Sequence, residues 1–180
     1  MNGNADAANN GSDGSANKRY DRQVRIWGAH GQTLLQAARV CMLGAGPVAT
    51  ETLKNLVLGG IASFTVVDSA IVSQSDLGNN FFFDQTSLNQ GRAESAARLL
   101  RELNDSVQGA YSDLSVQDLL QSSSNFFADF SLVIAAEVRV CQMHAAACLA
   151  AARRTANWLR RFLVSSRACR SHVTSAKLSL

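Results

Sequence analysis

Residues 40–49 read VCMLGAGPVA and pass from a short apolar segment into a glycine-rich turn. A short apolar run between polar and glycine neighbours is typical of a buried parallel strand. Gly44 and Gly46 then turn the chain, and Pro47 suits the first turn of a helix, where its missing N–H removes no hydrogen bond. The pattern predicts a strand, a tight turn and a helix that runs to about residue 58.

A second apolar segment at 63–68 ends on Asp68 and completes a β-α-β unit. In such units Gly44 permits the tight turn, Gly46 lets the backbone approach a phosphate, and a small residue such as Ala49 lets helix and strand pack closely. The helix N-terminus favours an anion, and Asp68 could accept hydrogen bonds from ribose hydroxyls. The pattern predicts a Rossmann-like unit. It leaves open whether the unit binds a nucleotide, because doubly wound sheets also use such turns structurally.

The remaining pattern extends this unit in both directions. Two short helices, separated by glycines, precede the first strand, and further helices and strands follow an irregular stretch at 69–90. The predicted segments are helices at 19–27, 34–38, 91–104 and 116–120, and strands at 107–111 and 130–136. The predicted fold class is α/β, a Rossmann-like, mainly parallel sheet with helices on both faces, preceded by two short N-terminal helices. We expect the sheet to be incomplete.

Charge and composition divide the chain into three segments. Residues 1–17 offer nothing to bury, which predicts disorder. Residues 18–137 form the predicted Rossmann-like domain. Residues 1–137 carry a net charge of −5, whereas residues 138–180 hold 8 basic residues and no acidic ones. We interpret 138–180 as a basic Ala/Arg/Ser-rich tail, with a helical pattern as far as residue 164.

No catalytic centre is recognisable from residue spacing. The four cysteines show no paired spacing, so neither a disulfide framework nor a zinc site is predicted, and Cys41 is expected in the core. The three histidines lack cysteine or acidic neighbours at ligand spacing. We therefore assign no catalytic residue and no metal ligand.

Several blocks resemble the activating enzymes of ubiquitin-like modifiers, a family with a ThiF/MoeB-like fold. Besides the glycine turn, they are YDRQVRIWG at 20–28, KNLVLGGI at 54–61, GNNFF at 78–82 and RAESA at 92–96. The order and spacing match over about residues 18–136. The GNNFF block is most similar to the regulatory subunit of the Nedd8/Rub branch, with the SUMO branch as the alternative. The phenylalanine run at 81–83 is interpreted as core or subunit interface.

The resemblance implies a nucleotide site that has lost part of its charge. Asn79 stands where active members carry an arginine, Arg92 where they carry a lysine, and no aspartate follows the strand at 130–136. A neutral amide cannot replace a forked cation on a phosphate, so we expect no adenylation by this chain alone. The residues assigned to a vestigial nucleotide site are Gly44, Gly46, Ala49, Asp68, Asn79 and Arg92.

The resemblance also implies a heterodimer. Its catalytic subunit would hold ATP and magnesium, so no cofactor is assigned to this chain, and a ubiquitin-like modifier would be the second partner. In the family that the chain resembles, an arginine of the N-terminal helix contacts ATP in the partner's site, and the resemblance implies that Arg22 is its counterpart here. The alternative for Arg22 is a solvated helix face that it shares with Arg19 and Arg25. The implied localisation is cytoplasm and nucleus.

The basic tail admits two interpretations. Arg153, Arg160 and Arg167 recur every seven residues, so an amphipathic helix could lie on an acidic membrane or partner. We prefer a truncated or alternatively spliced product, or a mispredicted reading frame, because the family resemblance ends near Glu137. Accordingly, we expect neither nucleic acid nor membrane as a partner.

The expected function is that of a non-catalytic regulatory subunit that supports activation of a Nedd8/Rub-type modifier. The alternatives are a subunit of a SUMO-activating enzyme and a self-contained NAD(P)- or ATP-using Rossmann enzyme. The absence of an acid–base group near the predicted strand ends argues against the self-contained enzyme.

Overall fold

The computed structural model describes residues 18–122 and 126–136 and the backbone of one further strand, Phe162–Ser165. The predicted disorder at 1–17 and most of the basic tail lie outside the described residues. In chain order, the elements are α1 Asp21–Gln36, β1 Arg39–Leu43, α2 Pro47–Gly59, β2 Ser63–Val67, α3 Gln74–Asn79, α4 Arg92–Leu103, β3 Gln108–Ser112, α5 Val116–Ser122, β4 Leu132–Ala136 and β5 Phe162–Ser165, with 3-10 turns at Gln85–Ser87 and Phe126–Asp129.

The described strands form one parallel sheet in the order β3-β2-β1-β4-β5. β1 lies in the middle, with Val40 paired to Phe64 of β2 on one side and to Leu132 of β4 on the other. The strand order reverses between β1 and β4, and open α/β sheets bind their ligands beyond the carboxyl ends of the strands at such a point. The glycine turn after β1 therefore lies where this fold places a ligand.

Hydrophobic side chains cover both faces of the sheet, which explains the continuous apolar run of β1. Val40 and Met42 belong to the larger cluster, with α2 and α4, while Cys41 and Leu43 belong to the smaller cluster, with α5. The predicted α/β class with helices on both faces is confirmed. The core position of Cys41 is also confirmed, and burial raises the pKa of its thiol, which keeps it protonated.

The two predicted N-terminal helices meet at Gly28, whose φ of 76° is not helical. The second segment is anchored to the body through the buried Gln32, which accepts a hydrogen bond from Trp27 Nε1 at 3.0 Å and donates to the carbonyl of Gly59 at 3.2 Å. Within the described residues, no helix combines the length and apolarity that a membrane crossing requires.

Two elements correct the sequence prediction. The sequence predicts a helical pattern as far as residue 164, but Phe162–Ser165 is a strand whose Phe162 pairs with Val133 of β4, so the sheet continues beyond β4. Short apolar runs look alike in helices and strands, and pairing with β4 decides between them. The stretch expected to be irregular contains α3, which begins with a reciprocal capping box between Ser73 and Asp76.

Alanine at position 60 should destabilise the chain by about 2 kcal/mol, because Gly60 has a left-handed backbone, with φ +85°, that costs any other L-residue energy. A Cβ there would also lie 2.5 Å from the Tyr20 ring. Gly78→Ala is the matched control, because a Cβ there would have no neighbour within 4 Å apart from the adjacent residues and the backbone of its own helix, and it should be neutral or slightly stabilising. Urea unfolding measures both variants. Equal midpoints would contradict this account of Gly60.

Candidate functional site at the glycine turn

The glycine turn has the backbone geometry that its sequence predicts. Gly44 has φ 92°, a left-handed conformation, and its N–H donates to the carbonyl of Val67 at the end of β2, at 2.9 Å. Gly46 is the N-cap of α2, Pro47 occupies the first turn, and Ala49 is fully buried. The N-terminus of α2 therefore lies directly beyond the carboxyl end of β1.

Asp68 connects the glycine turn to the loop after β2. Its Oδ2 accepts a hydrogen bond from the N–H of Ala45 at 2.8 Å, and its Oδ1 accepts one from the N–H of Ala70 at 2.9 Å. Only 13% of its side chain is exposed. The Asp68 carboxylate, which could bind ribose hydroxyls, thus accepts hydrogen bonds from two backbone segments of its own chain.

Arg92, the first residue of α4, forms an ion pair with the same carboxylate. Its Nε lies 3.6 Å from Asp68 Oδ2, and the arginine side chain is 19% exposed. Arg92 also acts on Asp76: burial raises the pKa of that carboxyl, but hydrogen bonds from Ser73 and the charge of Arg92 outweigh it and hold the pKa below its usual value. Arg92 therefore faces carboxylates of its own chain, although its buried Nε donates no hydrogen bond to the residues that the structure describes.

The two neighbouring asparagines at the end of α3 behave differently. Asn79 is exposed, and its Nδ2 donates to the carbonyl of Ser75 within the same helix, at 3.1 Å. Asn80 is buried: its Nδ2 donates to the carbonyl of Ala45 at 3.4 Å, and its Oδ1 accepts from the Thr50 hydroxyl at 3.1 Å. The structure thus brings Asn80 to the glycine turn, and Asn79 does not join it.

The charged groups fit a magnesium-bound nucleotide poorly. Phosphoryl chemistry requires cations aimed at the phosphates and oxygen ligands for the metal. Here Arg92 faces Asp68, and β4 ends on Ala136. The described part of the chain contains no group of three or more side chains that could hold a metal ion. At this turn the Asp68 carboxylate accepts two backbone hydrogen bonds, whereas the buried Nε of Arg92 forms an ion pair but no hydrogen bond with the described residues.

Arg22 differs from its neighbouring arginines. Arg19 donates to Asn104 at 2.6 Å and lies 3.3 Å from Asp105, and Arg25 pairs with Asp21 at 2.8 Å. Arg22 is exposed and makes no hydrogen bond or ion pair with the residues that the structure describes. Of these three arginines, the guanidinium of Arg22 is the one available for another molecule.

A family model described as the ThiF family matches residues 20–152, more than half of the chain. The chain belongs to the ThiF family. Among curated relatives, this ThiF-family chain is 51% identical over 121 residues to the "Nedd8-activating enzyme E1 regulatory subunit" of Drosophila melanogaster. It is 48% identical over 120 residues to the "NEDD8-activating enzyme E1 regulatory subunit AXR1" of Arabidopsis thaliana. These alignments cover 67% of this chain and 22% to 23% of the relatives, so the chain spans about a quarter of their length.

Solved structures confirm the fold of this ThiF-family chain. The tRNA N6-threonylcarbamoyladenosine dehydratase TcdA of E. coli superposes with a TM-score of 0.69 at 21% identity, covering 82% of this chain and 59% of TcdA. PaaA superposes with a TM-score of 0.64 at 17% identity, covering 83% of this chain and 48% of PaaA. At these identities the likeness concerns the fold alone.

Sequence reasoning missed the role of Asn80, because nothing in the spacing separates it from Asn79. The phenylalanine run of this ThiF-family chain is also divided: Phe83 is buried and Phe82 half-buried, as a core interpretation requires. Phe81 is 87% exposed, and its ring centroid lies 6.0 Å from the Lys54 ammonium. Phe81 is therefore not a core residue, and the subunit-interface alternative stays a prediction for it.

Proposed function

We propose that this chain is the regulatory, non-catalytic subunit of a heterodimeric activating enzyme for a Nedd8/Rub-type modifier. The observation that carries the proposal is the 45% to 51% identity, over two thirds of the chain, to relatives from fly, chicken, plant and worm that bear the name of that subunit. In the reaction that we assign to the complex, the modifier's C-terminal carboxylate attacks the α-phosphorus of ATP. An acyl–adenylate bond forms, and pyrophosphate leaves.

The internal use of charge at the glycine turn supports a non-catalytic role. The Asp68 carboxylate holds the N–H groups of Ala45 and Ala70, and Arg92 pairs with Asp68. A phosphate at this turn would compete with Asp68 for Arg92. We therefore place ATP and magnesium in the partner subunit's site.

We further propose that Arg22 contacts ATP in the partner's site. Its exposure and its lack of partners among the described residues support this role, because an arginine supplied in trans must reach beyond its own surface. The neighbouring Arg25 is already paired with Asp21, which makes it the weaker candidate.

Reconstitution tests the proposal. The 180-residue chain, mixed with the catalytic subunit of a Nedd8-type activating enzyme, should elute as a heterodimer and support modifier-dependent exchange of pyrophosphate into ATP. The chain alone should show no exchange and little heat on titration with ATP or NAD. A parallel mixture with the SUMO-type catalytic subunit separates the two branches. Exchange by the chain alone would refute the non-catalytic assignment.

A further inference from the structure

We infer that Tyr20 and Asn104 form a latch that sets the position of Arg22 toward the partner's ATP, an inference that rests on the proposed function. Both are positioning residues, since neither is exposed enough to reach another molecule: Tyr20 is 5% and Asn104 3% exposed. The latch joins the residue before α1 to the residue after α4. It thereby ties the N-terminal segment to the body of the fold.

The side-chain amide of Asn104 forms hydrogen bonds through both its nitrogen and its oxygen. Its Nδ2 donates to the Tyr20 hydroxyl at 2.9 Å and to the carbonyl of Val57 near the end of α2 at 2.8 Å. Its Oδ1 accepts from Arg19 Nη1 at 2.6 Å and from the Ser106 hydroxyl at 2.7 Å. Turning the amide over would place its oxygen against the carbonyl of Val57 and remove that buried hydrogen bond, so the orientation of the Asn104 side chain is fixed.

Tyr20 is held by shape as well as by hydrogen bonding. Its ring lies so close to Gly60 that a Cβ there would be 2.5 Å away. Burial raises the pKa of its hydroxyl, but hydrogen bonds from Asn104, Ser106 and Arg19 outweigh burial and hold the pKa below its usual value. The Tyr20 hydroxyl therefore lies in a site that supplies hydrogen-bond donors to its oxygen.

The latch matters for Arg22 because of how α1 is divided. Arg22 lies two residues after Tyr20, in the helical segment that ends at the Gly28 kink. The anchor of the second segment, Gln32 on the Gly59 carbonyl, lies beyond that kink. The amino end of the first segment is therefore placed by the latch, and any rotation about Tyr20 would move the Arg22 guanidinium.

A double-mutant cycle in the reconstituted heterodimer tests the latch. Asn104→Ala should lower kcat/KM for ATP roughly 10-fold, and Tyr20→Phe should lower it roughly 3-fold, because small misplacements of a positioned group are costly. In an Arg22→Ala background, neither change should lower kcat/KM further. Tyr111→Phe, on the exposed face of β3, is the matched control and should leave kcat/KM unchanged.

The outcomes separate the latch from the proposed function. If Arg22→Ala itself has no effect, the trans contact fails. If Arg22→Ala is impaired but the latch variants add their full losses to it, the latch acts on folding and not through Arg22, which overturns the inference. Tyr20→Phe is mild enough to keep the test valid if Asn104→Ala does not fold. Hydrogen exchange supplies an independent readout: Tyr20→Phe should speed exchange at residues 21–27 and leave β1 and β4 unchanged.

Discussion

Replacing Arg22 by alanine should lower modifier-dependent pyrophosphate exchange by the reconstituted heterodimer about 1,000-fold, at the low end of what an arginine supplied in trans contributes. The physical reason is the charge that develops on the phosphates as pyrophosphate leaves, which a guanidinium stabilises with paired N–H donors. Arg22 is exposed and unpaired among the described residues, so its removal should not unfold this chain. Exchange at saturating modifier measures the loss.

Two further variants make the Arg22 result specific. Arg22→Lys keeps the positive charge but loses the planar pair of N–H donors, so its exchange rate should lie between those of Arg22→Ala and the unchanged chain. Arg25→Ala removes an arginine from the same helical segment whose surface pair with Asp21 is worth little, so its rate should stay within about threefold. All three variants, Arg22→Ala, Arg22→Lys and Arg25→Ala, must still elute as the heterodimer. A full rate for Arg22→Ala, or a larger loss for Arg25→Ala, would contradict the assignment.

The β-α-β unit could be predicted from sequence because each of its positions requires a particular residue type. A left-handed turn requires Gly44, a helix start accepts Pro47, and close packing requires a residue as small as Ala49. Leu53 and Val57 of α2 are both buried and lie four residues apart, the spacing that places two side chains on one face of a helix. Each of these requirements is local, so it can be recognised from one segment of the sequence.

The features that sequence reasoning missed depend on contacts between distant segments. Whether Phe162 begins a strand is decided by its pairing with Val133 of β4. The preference for Asn80 over Asn79 at the turn is decided by the carbonyl of Ala45, which lies 35 residues away along the chain. The Asp68–Arg92 pair likewise joins the loop after β2 to the start of α4. No periodicity or motif carries such information.

The Asp68–Arg92 pair leads to the largest expected effect on stability. Asp68→Ala should lower the free energy of unfolding by about 3 kcal/mol, because it leaves the N–H groups of Ala45 and Ala70 without their acceptor and Arg92 without its carboxylate. Burial makes these losses costly, since Asp68 is 13% and Arg92 19% exposed. Urea unfolding of the chain, with a common slope for all variants, measures the change.

Comparison with two other variants identifies the source of the Asp68 effect. Asp84→Ala removes an exposed carboxylate that also accepts two backbone N–H bonds, from Thr86 and Ser87, and should cost clearly less, because water can replace it. Arg92→Ala leaves both backbone bonds of Asp68 intact, so the double variant Asp68→Ala/Arg92→Ala should lose less than the two single losses together. Strict additivity would show that the ion pair contributes nothing. A loss no larger than that of Asp84→Ala would show that the glycine turn keeps its shape without Asp68, and would contradict the structural role that the two backbone hydrogen bonds of Asp68 indicate.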